Sequence, residues 1–207
     1  MSSSLRPDLQ IIADWIRPRS RVLDLGCGEG DLLDHLGREK QVKGYGIELD
    51  DEKVVVAMGR GLSVLQLDLD EGLRQFASNS VDTVVLSLTL QAVHFPRDLL
   101  LEMLRVGREG IVTFPNMGHW RARWQLGVQG RMPMTDVLPH SWYDTPNIHL
   151  CSIDDFDALC HDHQIVVQER QVLNDRRRST AANRVWPNLL GELALYRCAL
   201  RGPQENP

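Results

Sequence analysis

The chain has 207 residues, 43% apolar and 25% charged, which suits one globular domain and leaves little room for two. Its 23 Lys and Arg against 28 Asp and Glu give a net charge of -5, which excludes a surface that holds nucleic acid through bulk charge alone. The four cysteines, Cys27, Cys151, Cys160 and Cys198, follow no even pattern, and neither a signal peptide nor an apolar run of about 18 residues is visible, so a soluble cytoplasmic protein with free thiols is expected.

Leu9, Ile12, Ala13 and Ile16 recur at helical spacing and stop before Pro18, predicting a helix over 8–16. The apolar run Arg21–Leu25 is a strand that meets a glycine cluster. A helix follows over 31–40, a strand over 42–48, a helix over 50–60 closed by Gly61, and a strand over 62–68. Residues 81–87 form a fourth strand, 96–106 a helix with Leu99, Leu100, Met103 and Leu104 on one face, and 110–114 a fifth strand. Strands alternating with helices at this spacing predict a parallel sheet covered on both faces, with right-handed crossovers. After Pro115 the alternation stops. Residues 116–150, rich in Trp, Arg, Met, Pro and His, read as a cap; a helix over 153–161, a strand over 165–173, a polar stretch with Arg176, Arg177, Arg178 and Arg184, and a strand over 195–201 follow. The expected organisation is a single domain over 5–201, divided into a core (5–115), a cap (116–150) and a closing segment (151–201), with disordered tails at 1–4 and 202–207.

Asp24-Leu-Gly26-Cys27-Gly28-Glu-Gly30 stands between a strand and a helix. Glycines there permit positive φ and close backbone approach, and the helix N-terminus offers unpaired N–H groups, which suits a nucleotide-like ligand. The spacing is D-x-G-x-G-x-G rather than the dinucleotide G-x-G-x-x-G. Glu48 ends the second strand about 20 residues further on, where a carboxylate can accept from ribose hydroxyls. Amides near Gly26 to Gly30 are expected to face the ligand. Asp24 is expected either to receive a ligand ammonium or to order the loop.

The heptapeptide resembles the first motif of class I S-adenosylmethionine (SAM)-dependent methyltransferases. That resemblance implies a Rossmann-like fold with a seven-stranded, mostly parallel sheet, helices on both faces and an antiparallel last strand. It further implies SAM or S-adenosylhomocysteine as ligand, held by Asp24, Gly26, Cys27, Gly28, Gly30, Glu48 with Leu49, Asp68 with Leu69 beside the adenine, and Ser87 with Leu88 along the methionine half. The stretches Arg21–Leu33, Tyr45–Asp50, Leu90–Val93, Phe114–Arg121, Gly130–Pro133 and Trp142–Cys151 carry a closer resemblance, to the MetW family of methionine-biosynthesis proteins. It covers about Leu5 to Leu200 and implies action beside a homoserine O-acyltransferase, as its partner or regulator. The family often has glutamine where this chain has Leu88.

Methyl transfer from a sulfonium needs alignment and exclusion of water more than an elaborate catalytic group. If a base is needed, the rim candidates are His94, His119, Tyr143 and His149, none assigned by a motif. The chain lacks the Asn-Pro-Pro-aromatic element of many amino-group methylases, so methylation of nucleobase amines or glutamine amides is not expected. In the cap, Met117, Trp120, Trp124 and Val128 fall on one helical stripe with Arg121 and Arg123 beside it. The stripe either packs on the domain or forms a partner-binding surface through Trp120, Arg121 and Trp124. Cys151, Cys160, His161 and His163 lack zinc spacing, so no metal is expected. The arginine cluster reads first as a solvated face, with phosphate or RNA as alternatives. Three functions follow: partner of the acyltransferase, independent methyltransferase on a small molecule or carboxyl group, or RNA methyltransferase.

Overall fold

Successive side chains of a strand point to opposite faces, and here both faces are apolar. Leu23 and Leu25 of β1 (Arg21–Leu25), Val84 and Leu86 of β4 (Val81–Ser87), and Val112 and Phe114 of β5 (Gly107–Pro115) enter one core; Val22, Val85 and Ile111 from the same strands enter the other. A sheet with two apolar faces must be covered twice. In the computed structural model, which describes residues 5–174 and 179–201, α1 (Pro7–Trp15) and α2 (Asp31–Lys40) cover the second face, whereas α4 (Pro96–Val106) and α6 (Ile153–Asp162) cover the first. The remaining strands are β2 (Lys43–Glu48), β3 (Ser63–Gln66), β6 (Ile165–Leu173) and β7 (Leu193–Leu200), giving the order β3-β2-β1-β4-β5-β7-β6. β1 to β5 pair in parallel, while β7 runs antiparallel to both β5 and β6. This is the class I methyltransferase-like Rossmann arrangement implied by the glycine motif. The strand order reverses at β1, which lies between β2 and β4, and that reversal places a crevice outside their carboxyl ends.

Local chemistry starts the helices where the sequence predicts. Proline opens α1 and α4, Asp50 accepts from Glu52 N and Lys53 N at the start of α3 (Asp51–Gly59), and Ser152 with Asp155 forms a capping box on α6. Phe114, Phe156 and Tyr196 then lock α6 to the sheet, with ring centroids 4.7 to 5.7 Å apart.

Four predicted spans change. β3 stops at Gln66, because Asp68 accepts from Asp70 N and turns the chain into a 3-10 turn, which leaves Asp68 two residues past the strand end. β5 begins at Gly107, directly after α4, because its bare backbone lies close to Val84: a Cβ there would stand 2.7 Å from Val84 Cγ2. β7 begins at Leu193, where pairing to Pro115 extends the apolar run backwards. The polar stretch contains two short helices, α7 (Ala181–Val185) and α8 (Pro187–Leu190), too brief to show a 3.6-residue period. Arg176, Arg177 and Arg178, like the two expected tails, lie outside the described residues. No described helix is long and apolar enough to cross a membrane.

Candidate functional site

The glycine loop leaves β1 through three left-handed residues: Gly26 at φ 72°, Gly28 at 57° and Gly30 at 83°. At Gly26 the requirement is doubly strict, since a Cβ would also stand 2.5 Å from Thr89 Oγ1 in the segment after β4. At Gly28 a Cβ would meet nothing within 4 Å, so the loop is open on that side. Four of the five amides over Gly26 to Gly30 are already paired inside the protein. Gly26 N and Cys27 N both donate to Ile47 O (2.8 and 3.0 Å), Gly28 N donates to Glu48 Oε2 (2.8 Å), and Gly30 N donates to Cys27 O (3.0 Å). Parallel pairing of β1 with β2 brings Ile47 and Glu48 under the loop, and backbone donors must find partners when buried. The loop therefore offers an open backbone surface rather than a ring of donors.

Two acids meet beneath it. Asp24, only 3% exposed, is held among apolar strands; burial first, and the negative charge of Glu48 second, push its carboxyl up to about 7. Glu48 also accepts from Leu49 N (2.9 Å) and Asp50 N (3.1 Å), so its carboxylate is fixed by three backbone donors at the end of β2. Leu49 itself is exposed. The Cys27 side chain turns away from the opening and packs over Gly46, where a Cβ would stand 2.5 Å from its sulfur. Burial, then Asp24 and Glu48, push its thiol up to about 12, so it carries no thiolate chemistry near neutral pH.

On the far side of β2, Asp68 accepts from Asp70 N (2.9 Å) and starts a 3-10 turn over Leu69–Glu71. Asp70 then holds His94 twice, through its backbone N (2.8 Å) and its Nδ1 (2.6 Å). Burial raises the Asp70 carboxyl, but these bonds outweigh it and leave its pKa below the ordinary value. At the end of β4, Ser87 Oγ lies 3.3 Å from Thr113 Oγ1, and Leu88 adopts φ 56° with its N–H on Thr113 O and Oγ1. Left-handed backbone on a leucine costs about 1 kcal/mol or more and is typical of a segment held for a purpose. Gln91 supplies the holding group, its Nε2 donating to Leu88 O at 2.7 Å. The Gln91 backbone carbonyl accepts from Ile148 N and His149 N, which ties the cap to the crevice. Gln91 was in view only as part of the Leu90–Val93 stretch; its contacts depend on tertiary pairing that no local pattern encodes.

The rim candidates separate. His149 Nε2 lies 3.2 Å from His94 O, so these two share one corner. His119 is 3% exposed at the N-cap of α5 (Trp120–Gly127), buried rather than open on the rim. Tyr143 is exposed in the cap, edge-on to Trp142. The cap is fastened by Asn116, 2% exposed at the end of β5: its Nδ2 donates to Asn188 O (2.9 Å) and Gly191 O (2.7 Å), and its Oδ1 accepts from Gly118 N (2.9 Å) and Ile153 N (3.1 Å). Beyond this knot, Trp120 and Trp124 are 47% and 54% exposed and Val128 62%. The packed face of α5 is instead Ala122, so the aromatic stripe does not cover the domain. Arg121 lies over the Trp120 ring at 5.5 Å. Met117 precedes α5 and is not on its stripe.

A reversed strand order with a left-handed glycine loop and an acid at the end of β2 defines the class I methyltransferase-like proteins. Solved structures with this fold include a SAM-dependent methyltransferase from Archaeoglobus fulgidus (TM-score 0.68, 13% identity, covering 92% of this chain and 90% of that one). Another is a SAM-dependent methyltransferase, possible histamine N-methyltransferase, from Thermotoga maritima (TM-score 0.64, 18% identity, 94% and 88%). Within that class the family model for methionine biosynthesis protein MetW matches residues 6–198, and the chain belongs to the MetW family. It is 35% identical over 175 residues to the bifunctional methionine biosynthesis protein MetXA/MetW of Rhodopirellula baltica, a match covering 80% of this chain and 28% of that protein.

Proposed function

We propose that the crevice binds SAM or S-adenosylhomocysteine and that the chain acts beside a homoserine O-acyltransferase as its partner or regulator. The observation that carries the binding reading is the buried Asp24 beside Glu48, under a loop that is open at Gly28. A cationic group relieves the repulsion between two acids; both adenosyl ligands carry an ammonium, to which SAM adds a sulfonium. In this reading Asp24 faces the ammonium, Glu48 and Leu49 the ribose, Asp68 and Leu69 the adenine, and Ser87 and Leu88 the methionine half, while Gly26, Cys27, Gly28 and Gly30 shape the backbone beneath. Bound SAM would supply an activated methyl group. The partner reading is supported by the Rhodopirellula protein, whose name joins MetXA and MetW in one chain. Trp120, Arg121 and Trp124 form its contact surface, because exposed Trp and Arg are favoured at interface centres.

Calorimetry with SAM and S-adenosylhomocysteine tests the first half: binding to the wild type and none to Gly28→Val are expected, and no binding to the wild type refutes it. Adding the protein to a homoserine O-acyltransferase tests the second; unchanged activity without co-elution rejects the partnership. A second reading, an independent methyltransferase on a small molecule or carboxyl group, draws on His94, whose Nδ1 is held by Asp70 as an orienting carboxylate holds a general base. It requires labelled methyl on a product, lost in His94→Ala.

A further inference from the structure

Between the first turns of α4 and α6, at the carboxyl ends of β4 and β5, lies a pocket of about 220 Å³. Its walls are apolar: Leu90, Pro96, Phe114, Phe156 and Leu159. An apolar cavity of about 150 Å³ accepts a benzene molecule, so this volume takes a somewhat larger organic body. The polar groups that line it are Gln91, His149 and Asp155, with no Lys or Arg among the described lining residues. Gln91 has spent its Nε2 on Leu88 O, and its Oε1 is buried without a hydrogen-bond partner. A buried acceptor lacking a donor is costly, and a ligand donor relieves that cost. Asp155 accepts from Ser152 Oγ (2.7 Å) and Ser152 N (2.8 Å), and these bonds, the side-chain one first, keep its carboxyl below the ordinary carboxylate range. The pocket therefore combines apolar walls with a negatively charged, acceptor-rich edge.

We propose that this pocket binds a small organic amine or alcohol with a compact apolar body of about six to nine heavy atoms. The body sits against Phe114, Phe156 and Leu159, and the donor head turns to Gln91, His149 and Asp155. Carboxylates of the same shape are rejected, because no cation balances them beside Asp155. The site is independent of the adenosyl reading and is measurable without SAM, so either can fail alone.

The test is an NMR titration of the full chain with benzylamine, benzyl alcohol and benzoate, which share one ring and differ in the charge of the head. Benzylamine and benzyl alcohol should shift the resonances of Phe156 and Leu159, with benzoate at least about tenfold weaker, the scale of one charged hydrogen bond. Leu159→Trp should fill the pocket and abolish the shifts, and Asp155→Asn, which removes the charge at the edge, should narrow the gap between benzoate and the other two probes. Equal binding of all three probes, binding of none, or retention of binding in a folded Leu159→Trp overturns the proposal. The comparison of probes on the wild type decides it even if a variant fails to fold.

Discussion

The crevice and the cap are built in opposite ways from similar raw material. At the crevice the backbone donors of Gly26, Cys27, Gly28 and Gly30 are all used inside the protein, and Asp24 is buried with no counter-ion among the described residues. Local order there is bought with an unfavourable charge. The cap has almost the reverse character: α5 buries Ala122, leaves two tryptophans half in solvent, and depends on the buried amide of Asn116 for attachment. The contrast matches the proposed division of labour, in which the charged, backbone-lined crevice takes a small cationic ligand and the exposed tryptophan surface takes a macromolecule.

That contrast can be broken from either side. Asn116→Ala removes four hydrogen bonds, three of them buried, and should cost about 5 kcal/mol in chemical denaturation; a loss below about 1 kcal/mol would mean the cap is held elsewhere. Asp24→Asn should do the opposite. The folded chain holds the Asp24 proton up to about 7, whereas a free carboxyl releases it near 3.8. Its contribution to stability is therefore whole below about 3.8 and is lost as pH rises through about 7. Asparagine mimics the protonated form, so the variant should gain up to about 4 kcal/mol at alkaline pH and little in acid, as thermal melts across pH would show. The same charge sharpens the ligand side. If Asp24 meets an ammonium, SAM affinity should rise about tenfold between about pH 6 and pH 8 and go flat in Asp24→Asn; a pH-independent affinity in the wild type would remove Asp24 from the site. Trp120→Ala and Trp124→Ala should change folding stability by less than about 0.5 kcal/mol while weakening acyltransferase pairing by about 2 kcal/mol each. A large loss of stability instead would make them packing residues.

Much of this was legible along the chain. The strands that flank Gly26 and the helix after Asp31 show themselves because period, caps and glycines agree over a few residues, and Glu48 is marked by its distance from the loop. Other features were not. Trp120 and Trp124 share a helical stripe in sequence, yet which face of a short helix is buried depends on what it meets, and the domain meets Ala122. His119 and His94 look alike as lone histidines; one is buried at the N-cap of α5, and the other is held by Asp70 across 24 positions. Leu88 carries no sign of its left-handed backbone, which comes from bonds to Thr113 and Gln91.

The amino-acid sequence by itself determined the alternation of strands and helices, the two-faced sheet, the glycine loop and the family, since each rests on contacts or patterns local in the chain. Only the tertiary structure decided that four of the loop amides are already used, that Asp24 is a buried acid with its pKa raised to about 7, that Asn116 fastens the cap, and that an apolar pocket opens beside Gln91. Those features arise where segments far apart in sequence meet, and burial and hydrogen-bond partnership are properties of that meeting.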